Sequence, residues 1–308
     1  LSPGRTDSPV RVRWLGTAGF EITAGPFSVL IDPYVTRARF TDCVMRALEP
    51  DLAEIARVTP RADAIIVGHT HFDHVLDVPA IARNTGAKVF GSRSCVHLCR
   101  MEGVAESQVM DVESRRGQPT TVEVGPFELR FIPSVHAAIL LGRIPMPGDI
   151  SDCDQVPLRT GHYRCGAVFG VDIRVAGKRL YHLGSADLLD AYPERDVDLL
   201  LMCVAGWTTT ARFCPRVMGA IRPGAILLNS ARGGLIDESA LVEALESGRV
   251  GKAWLDAFWE EPYRGALLNY PQVLLTPHAA TYTRRCRLSM ETEAARNVLR
   301  DLGLAVPS

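Results

Sequence analysis

The sequence predicts a mixed α/β fold, and three observations carry that prediction. Short alternating or apolar runs, broken by turn residues, fill the first two-thirds of the chain as strands do. The last third alternates apolar strand-like runs with helix-like segments, a βαβαβ progression that builds parallel sheet. One apolar run, Ala64-Ile65-Ile66-Val67, leads into His69-Thr70-His71-Phe72-Asp73-His74, where three imidazoles and a carboxylate fall within six residues.

The elements follow in order. Val10 to Leu15 alternates strictly, as a half-buried strand does, and Gly16-Thr17-Ala18-Gly19 turns it into Phe20-Glu21-Ile22. Phe27 to Asp32 is a further strand, ended by Asp32-Pro33. Asp51 to Val58 has helical periodicity before Pro60. The strand Ala64-Ile65-Ile66-Val67 feeds the histidine cluster, Val78 to Asn84 reads as a helix leaving it, and Lys88-Val89-Phe90-Gly91 as a short strand. Glu123 to Pro133 forms a hairpin around Gly125-Pro126 and delivers His136 just past a strand end. Residues 141–162, rich in Pro, Gly and Asp, predict a long loop of the kind that carries function. Leu199 to Val204 is continuously apolar, as a strand buried on both faces is, and a helix-like segment then runs to Ala220. Ala225 to Asn229 follows, then a helix capped by Asp237 and stopped by Gly248. Ala253 to Asp256 and Val273 to Thr276 are the last strands, and a final amphipathic helix carries Leu288, Ala295, Val298, Leu299 and Leu302 on one face. That stripe needs a partner, which makes a homo-oligomer an expectation.

Composition narrows the function classes. At 308 residues, with 47% hydrophobic and 22% charged residues, the chain can bury a substantial core as a soluble globular protein. A net charge near −1 points to neither nucleic acid nor an anionic membrane surface. Apolar runs are too short to span a membrane, and the first residues lack signal-peptide architecture. Eight cysteines without a CxxC pair fit reduced, buried thiols in a cytoplasmic protein.

Imidazole and carboxylate ligands at this spacing suit zinc, with manganese or iron as alternatives, better than calcium or magnesium. His69 and His71 would take one metal, and Asp73 with His74 a second close by. Asp73 is also the candidate catalytic group, orienting the attacking water and passing its proton on.

Residues 10–218 resemble the metallo-β-lactamase superfamily, in its branch related to ascorbate-phosphate lactonases. Asp32 matches the acidic residue of the first motif, and His69, His71, Asp73 and His74 match the second, HxHxDH. His136 stands where the family supplies the third imidazole of the first metal. Tyr181 to Asp187 matches the strand and turn that carry a metal-bridging Asp, but Ser185 occupies that place. Asp187, two residues on, is either a displaced ligand or the cap of the next helix. His182 reads as a packed residue behind the site, and His97 and His162 have no ligand spacing. The resemblance implies an αββα four-layer sandwich and one complete metal site beside an incomplete one, since no His between His182 and His278 closes the second.

Residues 219–308 resemble the C-terminal part of D-isomer-specific 2-hydroxyacid dehydrogenases. The resemblance rests on the run from Pro223 to Asp237, on Leu255-Asp256-Ala257-Phe258, on Glu260-Glu261-Pro262 and on Thr276-Pro277-His278. It implies that Arg232 holds a substrate carboxylate and that Glu261 and His278 form a proton relay. The chain has no Gly-x-Gly-x-x-Gly turn to seat a dinucleotide. The sequence therefore reads as a join: a metal-binding domain over 1–218 and a dehydrogenase-type segment over 219–308. The expected function is metal-dependent hydrolysis of an ester, lactone or phosphoester of a small molecule. The alternatives are a catalytically impaired metal-binding protein and an NAD-dependent 2-hydroxyacid oxidoreductase using Arg232, Glu261 and His278.

Overall fold

A computed structural model describes residues 9–113, 117–137, 143–186, 196–202 and 221–278. Their strands form two sheets. The first has six strands in sequence order: β1 (Arg11–Gly16), β2 (Gly19–Ala24), β3 (Phe27–Ile31), β4 (Ala64–Ile66), β5 (Lys88–Gly91) and β6 (Val109–Asp111). Tight turns join β1 to β3 as an antiparallel meander, whereas β3 to β6 run parallel. Parallel neighbours need crossovers, and helices supply them. These are α1 (Phe40–Met45) and α2 (Leu52–Val58), then α3 (Phe72–Val75) and α4 (Val78–Thr85), then α5 (Arg93–Met101).

The second sheet has eight strands, again in sequence order: β7 (Thr120–Val124), β8 (Phe127–Ser134), β9 (Val168–Val175), β10 (Lys178–Gly184), β11 (Val197–Met202), β12 (Ile221–Asn229), β13 (Val250–Leu255) and β14 (Val273–Leu275). β7 to β10 are antiparallel, and β10 to β14 are parallel. Helix α6 (Glu238–Glu246) crosses from β12 to β13. Its Asp237 cap accepts from the Ala240 N–H at 2.9 Å, and Gly248 follows its end with φ +71°, as the sequence pattern requires. The tail strands thus extend the second sheet rather than forming a separate lobe.

Alternation along the strands sets the layers. Val29 and Ile31 of β3 and Ala64 and Ile66 of β4 meet Phe131, Val171, Ile173 and Leu201 of the other sheet in a core between the sheets. Leu30, Ile65 and Val89 face the opposite way, onto Ile55, Ile81 and Leu98 of the helices. On the far side, Leu200, Leu227 and Leu255 pack against Leu241 and Leu245 of α6. The result is the helix–sheet–sheet–helix order expected. Each such fully buried Leu or Ile contributes about 1.5–3 kcal/mol.

Helices α1 and α5 and strands β6 and β9 escaped the sequence pattern. Helix α5 buries Cys95, Leu98 and Cys99 on one face and is capped by Ser92. β9, inside the core, is nearly all buried, with Gly170, Asp172 and Arg174 alternating with Phe169, Val171, Ile173 and Val175. The expected helix before Ala220, the final amphipathic helix and Asp187 lie outside the described residues. Among the described residues no helix is long and apolar enough to cross a membrane.

Candidate metal centre

β3 and β4 are parallel neighbours with Ile31 paired to Ile66, so their C-terminal ends carry Asp32 and the histidine loop to the same edge. Gly68 starts the loop and donates its N–H to Asp32 Oδ1 at 2.7 Å. A Cβ at Gly68 would meet Asp32 Oδ2 at 3.0 Å, so the close approach depends on glycine. Asp32 itself has φ +43°, strain for a non-glycine residue that its buried hydrogen bonds over-determine. The second sheet holds the loop from above: Phe169 N–H donates to Gly68 O, and Thr70 N–H to Cys165 O, each at 2.9 Å.

His136 enters from beyond β8. It bridges to Ala186, and Ala137 N–H donates to Ser185 O at 2.9 Å, which ties the end of β8 to the end of β10. One donor atom from each of His69, His71 and His136 then falls within 4.8 Å of the others. His69 Nε2 and His71 Nδ1 are 2.9 Å apart; a tetrahedral ion with bonds of about 2.0–2.1 Å spaces its ligands by roughly 3.4 Å. A small opening of this cluster therefore accommodates such an ion.

The outer nitrogens are committed in a way that leaves inner ones available. His71 Nε2 lies 2.9 Å from the Pro145 carbonyl, and His136 Nδ1 lies 2.7 Å from the Ala137 carbonyl. With these atoms donating, the lone pairs of His71 Nδ1 and His136 Nε2 remain for a metal, the arrangement that fixes tautomer and ring orientation in metal sites. All three rings are at most 4% exposed. Burial pushes the His69 imidazole well below its ordinary value, and neighbouring His74, His71 and His136 push it further. Burial likewise lowers His71, and lowers His136 to about 4. Three neutral imidazoles are what a divalent transition-metal ion needs, so the donor set fits one.

His74 differs. Burial opposes its charge, but the carboxylates of Asp32 and Asp73 and the hydrogen bond to Asp32 outweigh burial and hold it above its ordinary value. Its Nδ1 lies 2.9 Å from Asp32 Oδ2. Its Nε2 lies 3.8 Å from Asp73 Oδ2 and 3.4 Å from Ser185 Oγ. Asp73, on α3, keeps about a third of its side chain exposed. The structure therefore gathers His69, His71, Asp73, His74 and His136 at one edge. It also puts Ser185 against His74. His182 sits behind them, fully buried, with Nε2 2.9 Å from the Ala18 carbonyl. His162 pairs with Asp154, away from the cluster.

Some contributors were not singled out in the sequence. Asp77, buried at the start of α4, accepts from Val35 N–H at 2.6 Å, Thr36 N–H at 2.8 Å and the Thr36 hydroxyl, pinning the segment after Asp32 to the helix after His74. A carboxylate before an apolar helix suggests a cap, but this one reaches across the chain instead. The Pro145 carbonyl was detectable only through its loop, which composition did mark.

The second set of candidate residues lies at the C-terminal ends of β12, β13 and β14. His278 Nδ1 is 2.7 Å from Glu261 Oε1, with 37% and 43% of the side chains exposed. Arg232 Nη1 donates to its neighbour's carbonyl, Ala231 O, at 2.7 Å.

Comparison with known proteins finds both halves. The model of the D-isomer specific 2-hydroxyacid dehydrogenase NAD-binding domain matches residues 167–280. An NADPH-dependent glyoxylate/hydroxypyruvate reductase from Sinorhizobium meliloti is 35% identical over a third of each chain, with a TM-score of 0.30. A metallo hydrolase from Ignicoccus hospitalis is 15% identical, covering 86% of this chain and 93% of its own, with a TM-score of 0.43. A UPF0173 metal-dependent hydrolase from Anaeromyxobacter sp. (strain K) is 30% identical over 233 residues, which are 73% of this chain and 76% of that protein. A second, from Anaeromyxobacter dehalogenans (strain 2CP-C), is 30% identical over 234 residues. With a relative of that extent and a buried, neutral three-histidine cluster, the chain belongs to the UPF0173 metal-dependent hydrolase family.

Proposed function

We propose that the chain hydrolyses an ester, lactone or phosphoester bond of a small molecule at the edge formed by β3, β4 and β8. The observation that supports this most is the convergence of His69, His71 and His136, all neutral, with His71 Nδ1 and His136 Nε2 turned inward as acceptors. These three would hold one divalent ion, with zinc favoured by the all-nitrogen donor set and manganese or iron as alternatives. When bound, such an ion supplies Lewis acidity and lowers the pKa of water. Asp73, part-exposed beside the cluster, takes a proton from the attacking water and hands it to the leaving group. His74, oriented by Asp32, and Asp187, by its place in the sequence, would form a second, weaker ion position. Residues 1–218 form the metal-binding unit in this reading, and 219–308 a structural segment of dehydrogenase type.

Metal analysis of the purified protein should give nearer one ion than two per chain. His69→Ala should remove that ion and lower hydrolysis of an ester, lactone and phosphodiester panel by at least about a hundredfold, beyond the 10–100-fold loss that outer partners of a ligand give. No ion after reconstitution would end the hydrolytic reading.

One observation favours a second reading, that of an impaired metal-binding protein: a hydroxyl, Ser185 Oγ, faces His74 Nε2 where a carboxylate would complete the second position. Ser185→Asp should raise the metal content toward two ions per chain. If it also raises turnover at least tenfold, the wild-type site is impaired; unchanged turnover with two ions bound would count against that reading.

A further inference from the structure

Beside the three-histidine cluster lies a cavity of about 290 Å³, and His136 forms part of its wall. At about 30 Å³ per water-sized group, it has room for roughly ten non-hydrogen atoms. Its other walls come from the end of β8, from the loop that contains Ile144 and Pro147, and from the lead into β9. The walls are preformed. Cys165 N–H donates to Met146 O, Gly166 N–H donates to Gly148 O, and His71 Nε2 holds the Pro145 carbonyl. The loop is thereby fastened to the segment leading into β9 and to a candidate metal ligand.

The chemistry of the lining selects the occupant. Pro133, Val135, Ile144, Pro147, Val168 and Phe169 present hydrocarbon. Among the described residues, no lysine or arginine lines the cavity. The carboxylate in its wall, Glu113, is spent on Arg93: Oε1 accepts the backbone N–H at 2.8 Å and Oε2 accepts Nε at 2.9 Å. Burial pushes the Cys165 thiol up to about 12, so it brings no charge. Among the described lining residues, a phosphate or carboxylate entering here would meet no unpaired cation to offset the hydration it gives up. A hydrocarbon group gains about 0.8 kcal/mol for each methylene it buries.

We infer that this cavity receives the uncharged, largely aliphatic acyl portion of a carboxylic ester or lactone, with the scissile carbonyl at its His136 end. The inference rests on the hydrolytic reading above and narrows its three bond types to carboxylic esters and lactones. Val135 and Ile144, 47% and 36% exposed, stand as apolar residues with solvent on one side, which suits contact with a flexible chain.

Binding separates this inference from the hydrolytic one. Calorimetric titration of metal-free protein with hexanamide, a neutral acyl analogue, should give saturable binding at least tenfold tighter than with hexyl phosphate. Ala167→Leu, which fills the cavity, should weaken hexanamide at least tenfold. Should that variant fail to fold, Ile144→Arg, at a part-exposed position, should reverse the preference toward hexyl phosphate. With metal restored, kcat/KM for p-nitrophenyl hexanoate should exceed that for p-nitrophenyl acetate about tenfold or more, a ratio that Ala167→Leu should collapse. Hydrolysis that His69→Ala abolishes but that ignores acyl length, or that favours bis(p-nitrophenyl) phosphate, would overturn the inference and leave the hydrolytic reading standing. Hexyl phosphate binding as tightly as hexanamide would overturn it as well. Absence of any His69-dependent turnover, with hexanamide still bound in the cavity, would instead strike the hydrolytic reading.

Discussion

The chain places chemistry-bearing residues at the C-terminal ends of parallel strands twice, and the two places differ in burial. At the ends of β3 and β4, three histidines, joined by His136 from beyond β8, are at most 4% exposed, and an aspartate with no exposure holds one of them. At the ends of β12 to β14, Glu261 and His278 are about two-fifths exposed, and Arg232 turns to its neighbour's carbonyl. Low dielectric makes the first set interdependent, because each imidazole's proton state is set by burial and by the other rings. Water screens the second set, so its 2.7 Å ion pair says little about function. Strand order adds to the contrast. Dinucleotides bind where the order of a parallel sheet reverses, but β10 to β14 run in sequence order without a reversal. Motif matches alone would rank the two places equally; burial and topology do not.

Among the residues that support the cluster without belonging to the three-histidine set, the largest effect should come from the one on which the buried set leans. Asp32 accepts from Gly68 N–H and His74 Nδ1 with no exposure to water. Asp32→Asn keeps the volume and removes the charge that, after the opposing effect of burial, chiefly holds His74 up. Metal affinity, read by competition with a chelator, should fall about 10–100-fold. Unchanged affinity would mean that the histidines are oriented without Asp32.

Acid should expose the same interdependence. His136 has its folded value lowered to about 4, from an ordinary 6.5. Between those values the unfolded chain binds more protons than the folded one, so stability is present above about 6.5 and is lost as pH falls toward 4. His69 and His71 act in the same direction. His74, raised, acts oppositely: its contribution is present below 6.5 and is lost as pH rises. Burial lowers His182 as well, so four histidines oppose one, and the metal-free protein should lose several degrees of melting temperature between pH 6.5 and 4, because each tenfold change in a group's proton affinity on folding is worth about 1.4 kcal/mol. The metal-loaded protein should fall more steeply, because protons then compete with the ion. A flat metal-free profile would contradict the buried, neutral cluster.

Much of the buried site was legible because its residues lie close in sequence. His69 to His74 sit on one loop after one apolar strand, and Asp32 ends the neighbouring strand. His136 was legible as a residue just past a hairpin. What holds the site was less so. The carbonyls of Pro145 and Ala137 carry no side-chain signature, and Asp77 reaches back some forty residues to Val35 and Thr36. The cavity is assembled from four separate stretches, two of which meet only when β8 and β9 pair. In the fold, periodicity found α2, α4 and α6 but not α5, and β9 escaped although its apolar residues alternate with Gly170, Asp172 and Arg174.

The smallest effect should come from the exposed set. An ion pair with both partners part-exposed is worth about 0–1 kcal/mol. Glu261→Gln and His278→Ala should therefore each shift chemical denaturation by less than about 1 kcal/mol, and hydrolysis by less than about twofold. An NADH fluorescence titration of the wild type should show no saturable binding in the micromolar range. The reason is positional: a hydride acceptor must be held over the Glu–His pair, and neither a glycine turn nor a strand-order crevice is there among the described residues to hold it. Saturable NADH binding that Arg232→Ala or His278→Ala abolishes would restore chemistry to this end of the sheet. The contrast between the two places would then be one of substrate, with burial no longer separating an active cluster from an idle one.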